Sequence, residues 1–222
     1  MTQAMIRRRL FRKECRLAMQ PAVFFFECMA FMLLIPDYPY FITFFYATLN
    51  VFFICIFGRE NRDVEYTALL PVDRRDIVSA RFRLCLRLEL ILTGASAVFA
   101  ALRPSLGMLT NAAGMVPNAA FFGLALLLLG IFNLLFFPMY YKDTRRIGIP
   151  YTVSAIVFAA AMILIMSAVM IPVSPFHRLD VYDAEYRGIR ILVLVIGGAL
   201  FMLLSWLSLR ISVRRFRRED IT

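Results

Sequence analysis

Residues 117–139, PNAAFFGLALLLLGIFNLLFFPM, carry no charged side chain over a length that matches a lipid bilayer. At 1.5 Å per residue, a helix of this length covers the roughly 30 Å of hydrocarbon in a membrane. Comparable apolar blocks recur along the chain, at about 17–35, 39–57, 84–102, 149–171 and 190–209. The 222 residues are 61% hydrophobic, against roughly half in soluble domains. Barrel strands would alternate over about ten residues, and these blocks do not. The expected fold is therefore all-α and integral to a membrane, a single transmembrane domain over 1–222 with six helices. A cleaved leader is not expected. The first block is too long for a signal core, contains Glu27 and lacks a small-x-small cleavage site.

The basic residues set the expected orientation. With both termini inside, the inner segments hold all the lysines and all but four of the arginines; the exceptions are Arg103, Arg178, Arg187 and Arg190. An excess of Lys and Arg on the cytoplasmic side orients membrane proteins, and termini on one side require an even number of spans. A multi-pass protein with both termini cytoplasmic is expected. The net charge of +10 does not point to nucleic acid, because the basic groups flank spans instead of forming one face. They suit anionic lipids of the inner leaflet, at about 1 kcal/mol of attraction each. Cys15, Cys28, Cys55 and Cys85 fall on the inner side or within spans, without CxxC spacing. Reduced thiols and no metal site are expected.

Between the apolar blocks the connections differ in character. Residues 3–16, QAMIRRRLFRKECR, mix six basic groups with Ala4, Met5, Leu10 and Phe11; a basic interfacial helix over 1–16 is expected. Gln20-Pro21 opens the first span, where proline is tolerated. Pro36-Asp37-Tyr38-Pro39-Tyr40 is a tight outer turn, so spans one and two form a hairpin. The outermost loop before the last span holds His177, Asp180 and Glu185 and is expected to carry a short amphipathic helix. The long polar connection 58–83 stands apart. Asn61 is expected to cap a short helix through Asp63, Glu65, Thr67 and Ala68, stopped by Pro71. Asp73 then caps the third span's helix, with Asp76 completing a capping box, and about ten residues of that helix protrude from the membrane.

Catalytic chemistry is poorly supported. The only lysines, Lys13 and Lys142, follow no phosphate-binding glycine loop, and His177 is the single histidine. The chain is expected to be no enzyme, with no cofactor of its own. Ionisable groups near the spans are the remaining candidates. Glu27 sits near the middle of the first block, where a charge costs at least about 2.5–3.5 kcal/mol. It either lines a translocation path for cationic or amphipathic cargo, or pairs with an arginine or stays protonated. Arg83 and Arg87 share a helical face and can snorkel. Glu89 lies deeper and is expected to pair with Arg87, or with Arg83 of a neighbouring helix. Glu27, Arg87 and Glu89 are the path candidates.

Leu69-Leu70-Pro71-Val72-Asp73-Arg74-Arg75-Asp76-Ile77-Val78, followed by Ala80-Arg81, resembles the segment "sLPvsRkeIVlaKy" of small ABC-2 type permeases. Glu60-Asn61 resembles the acidic/Asn start of the same loop. The resemblance covers nearly the whole chain, although only the LPV-x-R-x-x-IV wording is specific. It implies a type V-like exporter half-transporter in a bacterial plasma membrane, pairing with a second copy or a paralogue and with two copies of a separate cytoplasmic ABC ATPase. ATP and Mg would then bind in that partner. The loop would be the coupling element, through Glu60, Asn61, Asp63, Glu65, Tyr66, Leu70, Arg74 and Arg75. Within the family the chain is most similar to exporters of amphipathic peptides, of the phenol-soluble-modulin type. Arginine stands here where the family often has lysine, and Asp73 where it often has serine. A lipid or drug permease and a non-transporting anchor that recruits a cytoplasmic protein are the alternatives.

Overall fold

The protein is represented by a computed structural model that describes residues 3–108, 110–171, 175–180 and 184–216. Every regular element among them is helical. The order is α1 (Gln3–Ala18), α2 (Pro21–Cys28) continued by a 3-10 segment (Met29–Leu34), α3 (Phe41–Glu60), α4 (Asp63–Ala68), α5 (Arg74–Leu102), α6 (Ala119–Tyr140), α7 (Gly148–Met170) and α8 (Arg187–Phe216). Among the described residues α3, α5, α6, α7 and α8 are each long and apolar enough to cross a membrane. A sixth crossing depends on α2.

The block expected as one first span, 17–35, is broken. α1 runs on to Ala18, and the axis then turns by 84° into Pro21–Leu34. Proline explains the break. Pro21 stands at the first helical position of α2, and Gln20 before it is extended, at φ −91° and ψ 166°. The α2 segment is short for a membrane, but its second half is 3-10, which rises about 2.0 Å per residue and brings the whole to about 24 Å. Its C-terminal carbonyls are not left bare. Arg103 Nη1 donates to Leu33 O at 2.7 Å, and Tyr40 Oη donates to Ile35 O at 2.7 Å.

α5 has 29 residues, about 44 Å, so it exceeds the bilayer as expected. Asp73 caps it, accepting from Arg75 N at 2.9 Å. Asp76 does not return the second bond of a capping box; its carboxylate takes Arg7 of α1 at 2.8 Å. Asn61 does not cap α4 either. α3 continues to Glu60 with Asn61 as its C-cap, and Arg62, in the left-handed region at φ 47°, starts α4 without a side-chain cap.

α6 lies at the centre. Phe121, Phe132, Phe136, Phe137 and Tyr140 are all fully buried, while α7 and α8 turn apolar side chains such as Ile156, Leu164, Leu192 and Met202 outward. α6 and α8 meet backbone to backbone. A Cβ added at Gly197 would lie 2.0 Å from Gly123 O, and one at Gly123 would lie 2.4 Å from Val193 O. Two turns along, Gly130 meets Phe201 Cα at a would-be 3.1 Å. Small residues that let helices approach this closely drive association in lipid, where no hydrophobic force acts between them. Beyond the spans, Asp180 accepts from Val116 N at 2.7 Å and fastens the last loop to the start of α6. Burial pushes its carboxyl up from the ordinary range, against the lowering effect of that bond. The expected amphipathic helix of this loop is replaced by 3-10 turns at Pro175–Leu179 and Ala184–Tyr186. Residues 172–174 and 181–183 of this loop, and Arg217 and Arg218, lie outside the described ones.

Gly197→Val should separate α6 from α8 and lower the melting temperature of the detergent-solubilised protein by well over 5 °C. Gly198→Ala, whose added Cβ meets only Leu126 Cδ1 at 4.0 Å, should leave it unchanged or raise it slightly, since alanine favours a helix by about 0.5–1 kcal/mol. Melting followed by size-exclusion chromatography reads both.

Candidate docking site

The connection between α3 and α5 sits at the end of the bundle where α1 and the end of α8 gather. α4 has only six residues, too few to be a stable helix by itself, so its placement comes from what holds its inner face. That face is Asp63, Val64 and Thr67, all buried. Asp63 Oδ2 accepts from Arg81 Nη2 of α5. Lys13 of α1 reaches Asp63 Oδ1 at 2.5 Å and Thr67 Oγ1 at 2.7 Å. Arg81 is 2% exposed and uses its whole fork. Besides Asp63, its Nε donates to Glu14 Oε2 of α1 at 2.9 Å and its Nη1 to Tyr140 Oη of α6 at 3.2 Å.

Gly58 of α3 completes the site from below. A Cβ there would lie 2.5 Å from Arg81 Nη1, so the guanidinium lies flat against bare backbone. Two cations, Lys13 and Arg81, face two carboxylates, Glu14 and Asp63, and the charges balance. Balanced buried pairs add little net stability, because desolvation offsets the attraction, yet removing one partner costs about 3–5 kcal/mol. Their effect is to fix α4 against α1, α3, α5 and α6 in one geometry.

The outer face of α4 and the turn after it is apolar and bare. Leu69 is 83% exposed, Tyr66 67% and Leu70 41%. Around them lie the exposed polar residues Glu60, Asn61, Arg62, Asp73 and Arg75. An apolar centre with a polar rim is the composition of a protein-binding patch.

Of the residues expected to contact a partner, Glu60, Asn61, Tyr66, Leu70 and Arg75 are on this exposed surface. Asp63 is not; it is turned into the Arg81 cluster. Arg74 is also turned inward, where its Nη1 donates to Phe216 O of α8 at 3.2 Å and its guanidinium covers the Phe216 ring. Glu65 is half-buried and faces Arg145 at 3.6 Å. Leu69, the most exposed of all, was not singled out by the sequence pattern.

The path candidates separate in the same way. Glu27 on α2 accepts from Asn50 Nδ2 of α3 at 2.9 Å, and its Oε2 has no partner. Glu89 is 1% exposed and pairs with neither arginine. It accepts from Asn133 Nδ2 of α6 at 2.8 Å. The reason lies in rotation about α5: Arg83 folds back on Ser79 O at 2.9 Å, and Arg87 lies exposed, its guanidinium 4.1 Å from the Phe11 ring centroid of α1. Glu89 thus faces the bundle interior, while Glu27 alone stays half-exposed. All four cysteines are unpaired.

A family model described as "ABC-2 family transporter protein" matches residues 6–217. No curated protein and no solved structure matches the chain.

Arg81→Met should leave buried Glu14 and Asp63 with Lys13 as their one cation and lower the melting temperature sharply, in keeping with about 3–5 kcal/mol for one uncompensated buried charge. The triple variant Glu14→Gln, Asp63→Asn, Arg81→Met should recover most of that loss. A triple variant no more stable than Arg81→Met would show that the cluster is not an ionic unit.

Proposed function

The chain belongs to the ABC-2 transporter family, and from that premise we propose that it is the transmembrane permease of an ATP-driven exporter, worked by a separate ABC ATPase seated on α4. Membership makes it a membrane subunit of an ABC transporter, which implies partnership with an ABC ATPase. The single observation that carries the docking reading is the apolar patch of Tyr66, Leu69 and Leu70 on a short helix whose opposite face is locked by Arg81. A helix held that rigidly passes on a push instead of absorbing it.

In this reading α2 with its 3-10 continuation is the first of six crossings, the basic end faces the cytoplasm of a bacterium, and two permeases associate, either identical or paralogous. ATP and Mg act in the partner; the permease contributes α4 and the helices tied to it. Movement of the ATPase reaches α5 through Asp63 and Arg81, α1 through Lys13 and Glu14, and α3 through the turn at Asn61 and Arg62. Cargo of amphipathic or cationic peptide character is supported by Glu27. It is a partly exposed acid among the spans, beside exposed Phe24, Phe25 and Phe31 on the same segment, although its unpartnered Oε2 is itself buried. Those groups offer an apolar wall with one acidic side chain set into it.

Leu69→Asp combined with Tyr66→Ala should abolish co-purification of the ATPase and its stimulation by the permease. The fold should survive, since both side chains are exposed. Reversal at Arg75 should weaken coupling, whereas reversal at Arg74 should first disturb α8 through Phe216. Retained stimulation in the Leu69/Tyr66 variant would remove α4 as the contact. Glu27→Gln should lower peptide export about tenfold, on the scale of one lost hydrogen bond to a charged group, with assembly and basal ATP hydrolysis intact. Undiminished export would remove Glu27 from the path.

A further inference from the structure

α1 carries a feature that docking and transport leave unused. Its inner face, Leu10, Glu14 and Ala18, is buried against the bundle. Diametrically opposite, Arg8, Arg9, Arg12 and Arg16 form one stripe, with Met5 and Leu17 exposed at its two ends. At 100° per residue Met5 and the four arginines fall within about a third of the helix circumference, with Leu17 to one side of the stripe. Arg12 lies between two shallow grooves, one lined by Met5, Arg8 and Arg9 and the other by Arg9, Lys13, Arg16 and Leu17. No acid lies on the stripe; Glu14, the one acid of α1, is turned inward to Arg81.

The direction of α1 bears on what meets this stripe. The axis turns by 84° between α1 and Pro21–Leu34, so if Pro21–Leu34 crosses the bilayer, α1 lies along the membrane surface. A helix in that plane, with arginines and flanking apolar side chains, has the composition of an interfacial helix that binds acidic headgroups. α1 is also tied to α4. Lys13 bonds Asp63 and Thr67, Glu14 shares Arg81 with Asp63, and Arg7 holds Asp76 at the start of α5.

We propose that the Arg8–Arg12–Arg16 stripe is a binding site for anionic phospholipid headgroups, and that its occupancy sets how well α4 couples to the ATPase. The coupling half rests on the docking reading above; the binding half does not. Headgroups that draw α1 onto the surface fix Lys13 and Glu14, and through them the seat of α4. Without acidic lipid, α1 is held only by its protein contacts, and α4 transmits less.

Two measurements on the full-length protein test the two halves separately. The first needs no ATPase: phosphatidylglycerol retained by the purified permease, read by native mass spectrometry, for the wild type and for Arg8→Gln/Arg12→Gln/Arg16→Gln. Each arginine removed should weaken retention about fivefold, about a hundredfold for the three, and high salt should lessen the difference. Equal retention would overturn the site. The second uses the permease–ATPase complex in vesicles of phosphatidylcholine with or without phosphatidylglycerol. Phosphatidylglycerol should raise ATP hydrolysis severalfold for the wild type and leave the triple variant at the phosphatidylcholine level. An equal lipid response would overturn the coupling half while leaving the binding result standing. Loss of the ATPase from the triple variant alone would reassign the stripe to a protein contact and overturn the proposal. Failure of even the wild type to hold an ATPase would count against the docking reading and the coupling half, with the retention result unaffected.

Discussion

Everything at the basic end of this protein depends on one buried guanidinium. Arg81 reaches a carboxylate of α1, a carboxylate of α4 and a phenol of α6 while resting on the bare backbone of α3. α4 is too short to persist alone, and α1, bent away from the spans, shares the same guanidinium through Glu14. Take the guanidinium away and two buried acids share the single cation Lys13, and the tie from both helices to α5 and α6 at this point is lost. The net stabilisation is small because desolvation offsets attraction. What the cluster supplies is a single permitted arrangement of five elements.

The other end of α5 repeats the device with different chemistry. Arg103, directly after the helix, is fully buried and has no carboxylate partner among the described residues. It donates to Leu33 O, to Thr110 O and to Tyr40 Oη, and its guanidinium covers the Tyr40 ring. One helix therefore carries an arginine clamp at each end, 22 residues or about 33 Å apart. The inner clamp grips α1 and α4; the outer one grips the end of the 3-10 segment and the turn into α3. The continuous helix α5 joins the two clamps.

The helices and the basic asymmetry were plain in the sequence because both are regional properties, summed over many residues. Gln20-Pro21 also marked a helix start, but the 84° turn follows from Gln20 being forced extended, and hydropathy is blind to direction. The Arg81 cluster was harder to see. Glu14 and Arg81 are 67 positions apart, and the one available sign was an acid placed alone within a basic helix. Asp63 and Tyr66 belong to the same six-residue helix, three positions and only about 60° apart, yet one is turned into the cluster and the other is exposed. A pattern of less than two turns cannot decide which. The pairing of Glu89 failed similarly: Arg83 and Arg87 were near in sequence, but Asn133 was nearer in space, and a single asparagine in an apolar helix is easily read as filler.

The meeting of Gly123 with Gly197 bears on how the chain is made. α6 and α8 share the closest backbone approach, yet α7 is synthesised between them. Until α8 leaves the ribosome and enters the bilayer, α6 presents a strip of uncovered backbone at Gly123 and Gly130. The contact between α6 and α8 therefore closes only after α7 has been made. A nascent chain cut short before α8 would display an open seam along its central helix.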